Sequence, residues 1–243
     1  MTYESTVPWN WYLLFHYGTA DEILEGTSFS RNDLPPRALE FPIATVEEFR
    51  GKSHGRALDV GCAVGRSSFA LSRMADEVIG VDFSESFVSV AEELRRGGKI
   101  PYQRYSEGHL TDNLTAILPE SSRPKKVQFL QGDAMNLPED LGSFDWVHAA
   151  NLLCRLSEPK RFLDWLPDHL NPGGQVVMAT PATWMTDYTP KKKQPPGLTL
   201  DFLRENLAGD FDLISVKELP FLIRQHQRKL QLSTSQTSLW RRK

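Results

Sequence analysis

The run Asp59-Val60-Gly61-Cys62-Ala63-Val64-Gly65 is the first place where the chain offers chemistry. It closes the apolar run Arg56-Ala57-Leu58-Asp59-Val60 and precedes residues 67–75, which read as a helix. Glycine at such a turn lets the backbone approach a ligand with no Cβ in the way. The helix start beyond it offers unpaired N–H groups. A second acid, Asp82, follows the strand-like run Glu77 to Val81, within Val81-Asp82-Phe83-Ser84. A carboxylate there can accept both hydroxyl protons of a ribose. A third acid, in Gln131-Gly132-Asp133-Ala134, follows the run Val127 to Leu130. Acids at successive strand ends share one sheet edge, where open α/β folds bind ligands at the reversal of strand order.

The spacing argues against a dinucleotide. That fingerprint needs glycines near the helix start for the pyrophosphate; here position 63 is Ala, and Asp59 would repel a pyrophosphate. An acid at that position suits an ammonium group instead. A ribose, an adenine and an ammonium together describe S-adenosylmethionine, which is the expected cofactor. No metal is expected, because the six histidines are scattered without ligand spacing. Lys191 to Lys193 and Arg241 to Lys243 read as solvated surface.

Strand-like and helix-like runs alternate from about residue 56 to 180, the pattern of a parallel sheet with helices on both faces. Trp146 to Ala149 and Gln175 to Ala179 are the fourth and fifth strands. Ser84 is placed to cap a helix running to about Arg96, with Glu85 favouring its dipole. Ser157 is expected to cap a helix containing Phe162, Leu163, Leu166 and Leu170, which stops at Asn171-Pro172-Gly173-Gly174. Thr199 is expected to cap a helix through Leu207. Asp212 to Leu219 and Thr237 to Arg241 then form an antiparallel pair at the sheet edge. A single domain over 1–243 is expected. It carries an aromatic N-terminal segment (1–50), an insertion (97–126) and a C-terminal extension (184–243).

Composition narrows the class. The chain has 243 residues, 40% apolar and 24% charged, which excludes a disordered chain, a collagen and a disulfide scaffold. The net charge of −3 argues against wholesale nucleic-acid binding. No run approaches the roughly 18 apolar residues of a membrane span, and Met1 to Ser5 lacks the features of a signal peptide. Two cysteines, Cys62 and Cys154, fit a reduced cytoplasmic protein. They follow neighbouring strands, and buried thiols are the expectation ahead of a redox pair.

From Arg56 to Thr180 the motif order resembles the class I methyltransferases. The resemblance implies a Rossmann-like, seven-stranded, mostly parallel sheet with an antiparallel C-terminal strand. It places Asp59 near the methionine amine, and Gly61, with Ala63 and Gly65, in close approach to the cofactor. It places Asp82, beside Phe83, on the ribose, and Asp133 and Ala134 on the adenine. Asn151 faces the methyl-transfer centre. Ala63 departs from that pattern, in which glycine is commoner.

Further strings carry a narrower resemblance. They are Tyr3-Glu4-Ser5, Tyr12-Leu13-Leu14-Phe15-His16-Tyr17-Gly18, Gly61 to Ser68, Leu94-Arg95-Arg96-Gly97-Gly98, Ala150-Asn151-Leu152-Leu153-Cys154-Arg155-Leu156 and Pro220-Phe221-Leu222-Ile223-Arg224. Together they resemble the N-methyltransferases of ovothiol biosynthesis, often fused to a sulfoxide synthase. That family methylates an imidazole nitrogen of 5-thiohistidine. The chain departs from it at Leu232, where tryptophan is expected, and in the basic, proline-rich run Thr189 to Gly197. A 5-selenohistidine acceptor stays open. With no room for the synthase, a stand-alone enzyme functionally linked to one is expected.

An amino-acid acceptor needs its carboxylate held, and Arg155 and Arg224 are the candidates; a surface helix residue is the plainer alternative for Arg155. Tyr12, Phe15, His16 and Tyr17 are candidates for a lid, with Tyr12 and His16 on one face of a helix. The plainer alternative is aromatics packed on the sheet. Thr180 and Trp184, after the fifth strand, are pocket candidates. No residue need act as a strong base; Asn151, Tyr12 and His16 are expected to position the acceptor. Two alternatives remain: another small-molecule acceptor, or a non-catalytic subunit that binds S-adenosylmethionine.

Overall fold

The computed structural model describes residues 6–51 and 54–243, with side chains from residue 9 onward; Tyr3-Glu4-Ser5 lies outside the described residues. In chain order the elements are α1 Thr6–Tyr17, α2 Ala20–Leu24, α3 Phe41–Val46, β1 Arg56–Val60, α4 Arg66–Leu71, β2 Glu77–Asp82, α5 Glu85–Gly97, β3 Lys99–Glu107, β4 Leu110–Ile117, β5 Val127–Gln131, β6 Phe144–Ala150, α6 Pro159–His169, β7 Leu170–Thr180, α7 Thr199–Leu207, β8 Phe211–His226 and β9 Lys229–Arg242.

Seven strands form one sheet in the order β5-β2-β1-β6-β7-β9-β8. The first five run parallel, and β9 is antiparallel to both β7 and β8. This is the mostly parallel α/β sheet expected from the sequence. Strand order reverses at β1, with β2 and β5 to one side and β6 and β7 to the other.

The central strands are apolar on both faces because both are covered. Leu58 and Val60 pack on one face with Val147, Phe162 and Leu166. Ala57 packs on the other with Phe69, Val78 and Trp146. Each fully buried Leu or Phe contributes about 1.5–3 kcal/mol. Gly80 in β2 is dictated by this packing, since a Cβ there would lie 2.6 Å from Phe129.

Ser84 caps α5 as expected, its Oγ accepting the Phe87 N–H at 3.3 Å. Several local expectations are corrected. Ser157 does not cap α6, whose N-cap is Glu158; its hydroxyl turns to Met135 Sδ. Thr199 is the first residue of α7 rather than its cap, because its Oγ1 accepts the Trp184 indole N–H at 2.9 Å. Helix α4 ends at Leu71, short of residue 75. Residues 171–174 do not terminate a helix. Leu170 already pairs with Phe144 of β6, and the Asn-Pro-Gly-Gly run is an irregularity inside β7 before Gln175 pairs with Trp146.

Residues 97–126 hold a second, two-stranded sheet, β3-β4. Its tip meets the β8–β9 turn through Gln227 N–H to Ser106 O at 3.1 Å and Arg228 to Glu107 at 2.7 Å. Asn10 of α1 accepts the Gln103 N–H of β3 at 2.9 Å. Among the described residues no helix is long and apolar enough to cross a membrane.

Candidate functional site

The carboxyl ends of β1, β2, β5, β6 and β7 lie along one edge, as the parallel register requires. The loop after β1 takes left-handed backbone at Gly61 (φ 75°), Ala63 (φ 47°) and Gly65 (φ 84°). Its start is tied to β2 by the Gly61 and Cys62 N–H groups, both bonded to Val81 O. Gly65 has no room for a side chain, since a Cβ would meet Phe129 at 2.6 Å and Ala91 at 3.2 Å. Ala63 has the same handedness without that freedom, a strain of roughly 1–2 kcal/mol.

Asp82 stands at the tip of β2. Its Oδ2 accepts the Ala63 N–H at 2.8 Å, and its Oδ1 accepts the Ser84 N–H at 3.0 Å. These two backbone bonds fix the carboxylate plane at the strand tip. Beside it the Phe83 ring is 75% exposed, a flat apolar face at the strand tips. Asp133 Oδ1 accepts the Met135 N–H at 2.9 Å, and Ala134 is buried beneath. The edge thus offers a carboxylate oriented by two backbone N–H groups, an exposed aromatic ring beside it and a tightly turned glycine loop. Those features fit an adenosine.

Asp59 corrects its expectation. It is 1% exposed, and both oxygens are engaged. Ser68 Oγ donates to Oδ2 at 2.5 Å, and His148 Nδ1 lies 2.7 Å from Oδ1. His148 Nε2 in turn lies 2.9 Å from Thr45 Oγ1. The carboxylate points into the protein, one residue below the edge, and is not open to a ligand's ammonium. Sequence reasoning missed Ser68, His148 and Thr45. The available signal was a lone histidine in the apolar run of β6, on a strand next to that of Asp59.

The C-terminal end of α1 lies over the loop. Tyr17 donates its hydroxyl to Val64 O at 2.8 Å, and Arg66 Nε donates to His16 O at 3.1 Å. Tyr17 is therefore a brace for the loop and not a free substrate contact; burial pushes its phenol up. Tyr12 and His16 share a face, with ring centroids 5.7 Å apart. His16 keeps some exposed surface, but its Nδ1 is buried with no hydrogen-bond partner among the described residues. Burial, then the Arg66 charge, pulls the imidazole pKa down to about 3, so the ring is neutral. Burial and the neighbouring Asp82 and Asp59 charges push the Cys62 thiol up, which keeps it an inert thiol. Both cysteines are free and buried.

Other candidates fall differently. Phe15 belongs to a core cluster with Phe41, Ala179 and Phe221, so it supports the sheet and does not line a cleft. Arg224 is 3% exposed and donates to the carbonyls of Ile23 and Glu25, each at 2.8 Å. Through this one nitrogen, Nη1, it anchors the end of α2, and its Nε is buried with no hydrogen-bond partner among the described residues. Thr180 is buried with its Oγ1 bonded to the Ala182 N–H, and the Trp184 indole is spent on Thr199. The Trp184 N–H is thus occupied, and the Thr180 hydroxyl is held below the surface.

Asn151 and Arg155 stay available. Asn151 adopts φ 56° just past β6. Its N–H bonds to Ala179 O and its Oδ1 accepts from Ser235, which leaves the side-chain NH2 without a partner among the described residues. The Arg155 guanidinium lies 4.5 Å over the Tyr188 ring and touches Met185 Sδ at 3.5 Å. It has no carboxylate partner among the described residues.

Residues 58–178, about half of the chain, match a family model described as a methyltransferase domain. Demethylmenaquinone methyltransferases of Clavibacter sepedonicus and Staphylococcus carnosus (strain TM300) are 29% and 32% identical to this chain. The matches cover 56% and 54% of this chain and 45% of each relative; the chain thus spans under half the length of these relatives. The N-methyltransferase NodS of Bradyrhizobium japonicum WM9, solved with S-adenosyl-L-homocysteine, shares the fold at a TM-score of 0.54 and 13% identity over 98% of this chain and 99% of NodS. The [4+2]-cyclase SpnF does so at 0.57 and 20% over 89% of this chain and 73% of SpnF. With its strand-end carboxylates and glycine loop, the chain belongs to the class I S-adenosylmethionine-dependent methyltransferases.

Proposed function

We propose that this chain transfers a methyl group to an imidazole nitrogen of 5-thiohistidine or 5-selenohistidine. The observation that carries this reading is the seating of the Tyr12–Gly18 string. It lies outside the matched strand-end motifs, yet Tyr17 and Arg66 join it to the glycine loop, which supports a role for this stretch beside the loop that this reading gives to the cofactor.

In this reading Asp82, Phe83, Asp133 and the Gly61–Gly65 backbone hold the adenosine. When bound, S-adenosylmethionine supplies an electrophilic methyl group. The chain's own task is alignment. The acceptor nitrogen must lie about 3–3.5 Å from the methyl carbon and in line with its bond to sulfur, and positioning of that kind supplies roughly 7–11 kcal/mol. An acceptor nitrogen held there would take the methyl group on its lone pair, S-adenosylhomocysteine would leave, and the N–H proton of the methylated ring would pass to water. A neutral imidazole needs no base to present that lone pair, only the correct tautomer. His16, itself neutral, and the free Asn151 amide offer hydrogen bonds that select it. Tyr12 packs the same wall. Arg155 pairs with the acceptor's carboxylate, a bidentate match.

A second reading, another small-molecule acceptor, is favoured by the relatives that are named demethylmenaquinone methyltransferases. Incubation with S-adenosylmethionine and a panel of 5-thiohistidine, 5-selenohistidine, histidine and a quinol separates the readings by mass. A product heavier by one CH2 from a chalcogen-bearing histidine supports the first. Turnover of the quinol alone supports the second. Binding of S-adenosylhomocysteine with no turnover of any acceptor points to a non-catalytic subunit.

A further inference from the structure

Asp59 lies inside a chain of four fully buried side chains on four elements: Ser68 on α4, Asp59 on β1, His148 on β6 and Thr45 on α3. Asp59 and His148 are direct cross-strand neighbours, and their side chains meet on the sheet face that also carries Ala57, Phe69 and Trp146. A buried carboxylate survives there only if its acceptors are filled. An ionised carboxylate only accepts, so the His148 nitrogen facing it carries the proton. Thr45 Oγ1 serves the other ring nitrogen and also lies 3.2 Å from Phe41 O.

The geometry of the loop gives this chain a consequence. The backbone of Asp59 enters the Gly61–Gly65 loop, and its carboxylate grips Ser68, in the first turn of the helix that leaves the loop. One residue thus clasps both ends. The clasp is aimed by His148, and His148 is aimed by Thr45. We propose that His148 and Thr45 are positioning residues for cofactor binding. They act through Asp59, which orders the loop from below and does not touch the ligand. This rests on the cofactor reading of the site and goes beyond it.

Calorimetry with S-adenosylhomocysteine tests the proposal without any acceptor. His148→Leu removes the donor to Asp59 and is expected to raise Kd by about tenfold or more. With S-adenosylmethionine saturating, kcat and the acceptor KM should stay within about twofold of wild type. His148→Asn, which keeps an N–H donor near the Nδ1 position, should recover most of the affinity. A purely structural role would lower Tm and leave the Kd of the folded protein unchanged. The proposal is overturned if folded His148→Leu binds as wild type does, or if His148→Asn binds no more tightly than His148→Leu. Should His148→Leu not fold, Thr45→Val carries the test: a raised Kd restored by Thr45→Ser supports the relay, and an unchanged Kd overturns it. A wild-type protein that binds neither cofactor form removes the cofactor reading and this proposal together.

Discussion

Asp82 Oδ2 accepts the Ala63 N–H at 2.8 Å, which ties the acid at the tip of β2 to the glycine-loop residue that is left-handed without being glycine. The bond orients the carboxylate and braces the strained residue at once. Asp82 and the loop therefore behave as one unit.

Asp82→Ala should weaken binding of S-adenosylhomocysteine by more than about 1 kcal/mol, because it removes a charged acceptor and frees the Ala63 and Ser84 N–H groups. Calorimetry reads this directly; an unchanged Kd would contradict the placement of the ribose.

Ala63→Gly should raise Tm slightly. It relieves about 1–2 kcal/mol of left-handed strain against roughly 0.5–1 kcal/mol of added chain entropy, for a net gain on the order of 0.5–1 kcal/mol. Thermal unfolding at matched pH measures the difference, and a fall in Tm would mean that the Ala63 methyl packs better than its backbone is strained.

Arg155→Gln should raise the acceptor KM by at least about tenfold, a charge-assisted hydrogen bond being worth about 1.5–3 kcal/mol. The cofactor Kd should stay unchanged. Steady-state kinetics with each substrate varied in turn separates the two effects. A cofactor defect with a normal acceptor KM would place Arg155 elsewhere.

The His16 shift has a definite sign. Its folded pKa is about 3 against an unfolded value near 6.5. Between those values the unfolded chain binds a proton that the folded chain excludes. Stability is therefore complete above about pH 6.5 and is lost as pH falls toward 3, by an amount on the order of 1 kcal/mol per pH unit. His16→Gln removes this contribution. The wild-type urea midpoint should fall more steeply with acidification than the variant's, and parallel pH profiles would show that the imidazole titrates freely.

The parallel strands, the loop, Asp82 and the Ser84 cap were legible because each is a local pattern: an apolar run, a turn residue, an acid at a strand tip. Asp59 was legible as an acid at the right strand end but not in its orientation. Its partners Ser68, His148 and Thr45 come from three other elements, and only the β1–β6 register brings His148 opposite. Phe15 and Tyr17 stood out as aromatics near a site, and the sequence held no sign that one would stack in a core and the other would brace Val64. Arg224 showed its charge but not the Ile23 and Glu25 carbonyls that hold its Nη1. The β3–β4 hairpin was hidden inside residues 97–126 because Pro101 speaks against a strand and a charge, Arg104, occupies one of its buried positions.

The reaction itself is tested most directly by nuclear magnetic resonance after turnover with methyl-labelled S-adenosylmethionine and 5-thiohistidine or 5-selenohistidine. The expected result is a labelled N-methyl signal correlated to an imidazole ring carbon, formed in step with S-adenosylhomocysteine. Label on the chalcogen or the α-amine, or no labelled product from either histidine while S-adenosylhomocysteine still binds, would contradict it.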